Sequence, residues 1–170
     1  KAEEALENRG LIRGDERLSI DATDYLLNQG TLTGGITRVD TNTLNNEHTG
    51  MIIGTRLGLS TDVLNNTGRG LGTDTQGGLI LAREQLDIGT RVLHNTQGGL
   101  IYSDGKLTLG RLLDSNHGAQ GRAERIVNEG STIEAMGKLS LSADITHNKN
   151  GKFVTALESW SAPETTTVLQ

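Results

Sequence analysis

The sequence predicts an all-β chain wound as a right-handed parallel β-helix, a solenoid with three short strands in each coil of about twenty residues. Three observations carry this expectation. The hexapeptide TQGGLI occurs at residues 75–80 and again at 96–101, twenty-one positions on. Pairs of aliphatic residues separated by one position recur along the chain. The composition joins 23 glycines to one proline and to four aromatics, Tyr25, Tyr102, Phe153 and Trp160. Many tight bends and a column too narrow for rings would account for all three.

The repeats run in order. NRGLI at residues 8–12 is followed by Leu18 and Ile20. A weaker copy, NQGTL, starts at Asn28 and continues through Val39 and Leu44. Residues 46–52 are followed by Leu57 and Leu59. Residues 75–95 align with 96–116, pairing Leu86 with Leu107, Ile88 with Leu109, Gly89 with Gly110 and Asn95 with Asn116. A late copy at 128–133 is followed by Leu139 and Leu141. Each unit has a first apolar piece around G-x-[LI], a second of the form Leu-x-Leu, and a third ending shortly before an Asn. The third pieces are Leu26-Leu27, Leu44, Val63-Leu64, Val92-Leu93, Leu112-Leu113 and Ile145.

Period-two spacing in the second piece is strand spacing, and no window keeps apolar residues three and four apart over several turns. Strands repeating without helical crossovers make each unit one turn of a coil, with each strand paired to its equivalent about 4.8 Å above and below. Strand twist favours the right hand. Asn8, Asn28, Asn46, Asn66, Asn95, Asn128 and Asn148 share one phase. They are expected at corners, where Asn tolerates left-handed backbone, and stacked there they would form an amide ladder. In TQGGLI the Gln and glycines turn a corner and Ile points inward.

About seven coils fill residues 1–150. The stride grows to 28 between Ile52 and Ile80 and to 32 between Ile101 and Ile133, which marks residues 68–75 and 114–125 as insertions. Arg69, Asp74, Arg122, Glu124 and Arg125 place charge there and are the candidate interaction residues. Solvated slack in the coil is the plainer reading of these loops. Residues 151–170, with Phe153, Trp160 and Pro163, fit no coil and read as a cap, a linker or the start of another region. The chain starts at Lys1 inside a repeat and reads as a segment of something longer.

Catalytic and cofactor chemistry finds no motif. The net charge is −5, the signs are mixed, and there is no basic patch for nucleic acid. There is no run of about 18 apolar residues that could span a bilayer, so no membrane insertion is expected of this segment. Without cysteine there is neither a disulfide nor a thiolate metal site. His48, His94, His117 and His147 show no ligand spacing. GLIYSDGKLT and GRGLGT depart from the phosphate and dinucleotide loops they approach. Calcium-binding solenoids need G-G-x-G-x-D repeats, and the GGLI copies place Leu and Ile there instead. A polysaccharide lyase or hydrolase needs clustered carboxylates on one outer face. Asp87 points outward, but its equivalents are Ser19, Gly58, Thr108 and Ser140, and Arg83 stands between Asp15 and Asp104. No catalytic residue and no cofactor is assigned.

Units such as LENRGLIRGDERLSI at residues 6–20 and IVNEGSTIEAMGKLSLSADITHN at 126–148 resemble the haemagglutinin-type repeats of filamentous haemagglutinin and of contact-dependent growth inhibition exoproteins. These are two-partner secretion proteins of Gram-negative bacteria, and the resemblance covers roughly residues 1–150. It implies export through an outer-membrane transporter partner and a β-helical filament on the cell surface that holds adhesive or toxic regions toward other cells. The segment is then expected to be a structural stalk. The alternative is a receptor-binding module acting through the insertions and the tail.

Overall fold

The computed structural model describes residues 4–68 and 78–149. Arg69, Asp74 and the tail at 151–170 lie outside the described residues. Within them the chain is a parallel solenoid. β1 (Ala5–Asn8), β2 (Leu11–Asn28), β3 (Thr31–Glu47), β4 (Met51–Thr67) and β5 (Leu79–Thr96) pair in sequence order, each parallel to the next. The coil after β5 consists of β6 (Leu100–Ser103), β7 (Lys106–Gly110) and, beyond a short antiparallel hairpin of β8 (Leu112–Leu113) and β9 (Ala119–Gln120), β10 (Ala123–Glu129). A last coil of β11 (Thr132–Ala135), β12 (Leu139–Leu141) and β13 (Ala143–Lys149) stacks on it.

Three separate strands per coil are seen only in these last two coils. From β2 to β5 the three faces belong to one strand of 17 or 18 residues that bends at its corners without losing its ladder. Stacked coils that bend at the same place keep their backbone partners through the bend. The exceptions are register shifts after Gly14, Ala22 and Gly54, where one coil carries an extra residue.

The register turns the repeat into four aliphatic columns. The first runs Ile12, Leu32, Ile52, Ile80, Ile101, Ile133. The second and third run Leu18, Thr37, Leu57, Leu86, Leu107, Leu139 and Ile20, Val39, Leu59, Ile88, Leu109, Leu141. The fourth runs Leu6, Leu26, Leu44, Leu64, Leu93, Ile126 and ends at Thr146. Mid-column members are fully buried, Ile80 and Ile101 of the twin hexapeptides among them. Each such side chain contributes roughly 1.5–3 kcal/mol of burial. Leu139 and Leu141 in the last coil are 43% and 38% exposed. The copy at Asn28 reads weakly because Thr37 takes a leucine position; its Oγ1 lies 3.4 Å from the carbonyls of Gly34 and Ile53.

Three expectations are corrected by this register. Leu112-Leu113 is not a third piece: it is β8 of the hairpin, Leu112 is 55% exposed, and Ile126 fills the column instead. Ile145 faces out, because it pairs with Arg125, while Thr146 follows Ile126. Asn116 is therefore not in phase with Asn95, and residues 75–116 are not the regular pair of coils that their letters suggest.

The asparagine ladder is complete. Nδ2 of Asn8, Asn28, Asn46, Asn66, Asn95 and Asn128 each donates at 2.8 Å to Oδ1 of the next rung, ending on Asn148. These side chains point inward and are buried from Asn8 to Asn128. None of these asparagines is itself left-handed; His48 (φ 57), Gln97 (φ 55) and Gly130 (φ 56), each two places after a rung, are. Asparagine is thus required for a buried amide that both donates and accepts, rather than for its backbone. Glycine before the next strand makes the room: a Cβ on Gly50 would sit 2.3 Å from the carbonyl oxygen of Asn28 and 2.6 Å from Asn46 Oδ1.

Candidate functional site

Both insertions leave the ladder intact, and they leave it at different places. The offset between paired residues is 20 for Met51 on Thr31 and 28 for Leu79 on Met51, so the first adds eight residues between Thr67 and Leu79, at the corner after the asparagine. For the second, Gly110 pairs with Gly89 at an offset of 21 and Arg125 pairs with Val92 at 33. The twelve added residues are 111–122, between the second and third faces. Glu124 and Arg125, expected in the loop, belong instead to the wall strand β10. Arg122 closes the hairpin and pairs with Asp144 of the last coil at 2.8 Å.

The hairpin lies flat on the outer side of the second face. Asp114 closes its tip, accepting from the backbone N–H groups of Asn116 and Gly118 at 2.8 and 2.9 Å, and His117 there is left-handed (φ 62). The close approach depends on Gly89, where a Cβ would lie 2.5 Å from the carbonyl carbon of Leu112, and on Gly110, where it would lie 2.6 Å from the Gln120 carbonyl oxygen. Asp87 points outward as expected, yet it is only 3% exposed, because the hairpin covers it. Its Oδ1 accepts from Ala119 N–H at 3.1 Å, and its Oδ2 accepts from Gln85 Nε2.

The root of the hairpin carries an ion network. Arg91 donates to both oxygens of Asp62 at 2.9 to 3.0 Å and, from Nη1, to Glu124 at 2.9 Å; Arg111 reaches Asp62 at 3.4 Å. The hydrogen bonds from Arg91 hold the Asp62 carboxyl below its ordinary range, and Asp62 and Glu124 raise Arg91 in turn. Elsewhere Tyr25 and Tyr102 are pushed up, mainly by hydrogen bonds to Glu7 and Asp104. Among the described residues no group of three His, Asp or Glu is arranged to hold a metal ion, and no helix is long and apolar enough to cross a membrane.

The residues that gather around the hairpin are Arg38, Arg56, Gln85, Asp87, Asn116 and His117, which line a cavity of about 130 Å³. Of the candidate residues that are described, Arg122, Glu124 and Arg125, none lines it; Arg122 is paired with Asp144 and Glu124 with Arg91. Asp87 was visible in the sequence as an outward carboxylate. Arg38 and Arg56 carry no motif, since only the fold of the insertion brings His117 over them. No family model, curated protein or solved structure matches the chain.

Proposed function

We propose that this chain is a structural stalk segment of a large secreted, cell-surface exoprotein that presents adhesive or toxic regions to other cells. The observation that supports this most is the ladder, which passes both insertions without losing a rung. Seven rungs at about 4.8 Å make a rod of about 29 Å, and a coil of this kind lengthens by adding units without altering those present. Export through an outer-membrane transporter belongs to the same reading, on the resemblance of the repeats alone. The resemblance likewise supplies the placement on the bacterial surface.

The hairpin favours a second reading, a receptor-binding module on the stalk. It is tied to the wall by Asp87 and Arg111 instead of hanging free, as a recognition element would be. One experiment separates the two. In the longer exoprotein, deletion of residues 111–122 should leave attachment to target cells unchanged if the segment is a stalk; loss of attachment with the rod still folded would establish the module. Antibody against the segment should label intact producing cells, and labelling only after permeabilisation would refute the surface placement.

A further inference from the structure

The cavity under the hairpin has the makings of a ligand site. Arg38 has no hydrogen-bond or ion-pair partner among the described residues, and Arg56 uses only Nε, on Glu84 at 3.0 Å. The two arginines sit on adjacent coils, Arg56 paired with Ile36 and Arg38 with Gly58, and both line the same cavity. Uncommitted N–H groups converging in this way suit a carboxylate, which accepts from a guanidinium through both oxygens.

The opposite wall sets the rest of the ligand. Asp87 is buried and held at both oxygens, so it presents a fixed negative acceptor. Its charge opposes a second negative charge in the cavity, and its remaining lone pairs accept from hydroxyl groups. Asn116 and Gln85 also line the cavity, and their amides can donate and accept. The floor is Gly58, whose register neighbours are Arg38 and Asp87. A Cβ there would meet Leu113 Cδ1 at 3.5 Å, His117 Cβ at 3.9 Å and Arg38 Cγ at 4.0 Å, all ordinary contacts. A Cβ is therefore tolerated at the floor, and a longer side chain there would extend among Leu113, His117 and Arg38.

We propose that this groove binds one residue of an acidic sugar: a ring bearing hydroxyls and a single carboxylate, with the carboxylate on Arg38 and Arg56 and the hydroxyls toward Asp87, Gln85 and Asn116. The proposal is independent of the stalk reading, because it concerns the outer wall and requires no delivery function. A sulfate or phosphate group fits it worse, since Asp87 opposes the added charge.

Calorimetric titration of the whole 170-residue chain with galacturonate, a galacturonate trimer, galactose and inorganic sulfate tests it. Galacturonate should bind saturably, and galactose and sulfate at least about tenfold more weakly, the loss expected when a charged hydrogen-bonding partner is removed. Arg38→Ala and Gly58→Met should each weaken galacturonate by at least about tenfold, the first by removing charge and the second by filling the groove. Both changes lie on the outer wall, and unchanged melting temperatures confirm the fold. A trimer that binds more tightly than the monomer assigns the site to a polymer, and equal affinities assign it to the free acid. No saturable galacturonate binding, sulfate binding as tight as galacturonate, or undiminished binding by both variants would overturn the proposal.

Discussion

Asn66→Ala is the sharpest perturbation of the solenoid. Asn66 Oδ1 accepts from Asn46 at 2.8 Å, and its Nδ2 donates to Asn95 at 2.8 Å and to the Leu100 carbonyl at 3.4 Å. Truncation removes these bonds and orphans two groups of unequal need. Asn46 Nδ2 keeps the Leu79 carbonyl at 3.1 Å, whereas Asn95 Oδ1 loses its donor in a fully buried place. A buried group left unpaired costs about 1–3 kcal/mol, and the two lost amide–amide bonds add about 1 kcal/mol each, so the variant should be destabilised by roughly 3–5 kcal/mol. The internal control is Asn65→Ala, one residue away on the half-exposed outer face, where its partners Asn45 and His94 can turn to water, so that it should lose only about 1 kcal/mol. Removing Asn95 as well takes away the orphan, so Asn66→Ala with Asn95→Ala should be less destabilising than the sum of the two single changes. Urea unfolding followed by circular dichroism and by amide exchange reads all four proteins. Equal losses for Asn65→Ala and Asn66→Ala, or strict additivity in the double variant, would refute the ladder as a load on stability.

Other predictions use the same assays. Ile88→Ala should lose about 2–5 kcal/mol from mid-column, whereas Leu139→Ala, already 43% exposed, should lose under about 1 kcal/mol. Ser103→Ala should be neutral or stabilise by up to about 1 kcal/mol, because Ser103 Oγ is buried without a partner and stands in a corner column with Ala82 and Ala135. Gly50→Ala should destabilise by at least about 1–3 kcal/mol, since its Cβ meets the backbone of Asn28, which has nowhere to move. The carboxyl of Asp62 is lowered in the folded state, so its contribution is present at neutral pH and lost as pH falls from its ordinary value of 3.8 through the lowered one. The melting-temperature gap between the parent and Asp62→Asn should accordingly close on that acid limb; a gap independent of pH would contradict the ion network.

Much of the fold was legible because a stacked coil repeats its chemistry at a fixed phase. Leu18 and Ile20 recur as Leu57 and Leu59, Leu86 and Ile88, and Leu107 and Leu109, and period two leaves no choice but strand. The seven asparagines and their amide ladder were legible for the same reason; what was misplaced was the left-handed backbone expected of them, because a turn preference and a buried amide leave the same letter at the same spacing. The end of the second TQGGLI unit was misread because Leu112-Leu113 and Asn116 imitate Val92-Leu93 and Asn95 in composition. What decides between them is whether the chain passes directly from Gly110 to the next face, and that depends on Gly89 and Gly110 letting a hairpin lie against the wall. The cavity was not legible at all. Arg38, Asp87 and His117 are separated by long stretches of chain, and only the register of three coils and a twelve-residue detour brings them together.

The continuity of the stack across that detour is the claim on which the stalk reading rests, and the chain's lack of cysteine makes it directly measurable. His94 is the register partner of Val127, whereas a regular twenty-one-residue repeat would set it beside Ser115. Parallel neighbours lie about 4.8 Å apart, within the range a disulfide spans. Under mild oxidation, His94→Cys with Val127→Cys should cross-link within one chain, and His94→Cys with Ser115→Cys should not. The reverse outcome would place residues 111–122 in the coil and contradict the account.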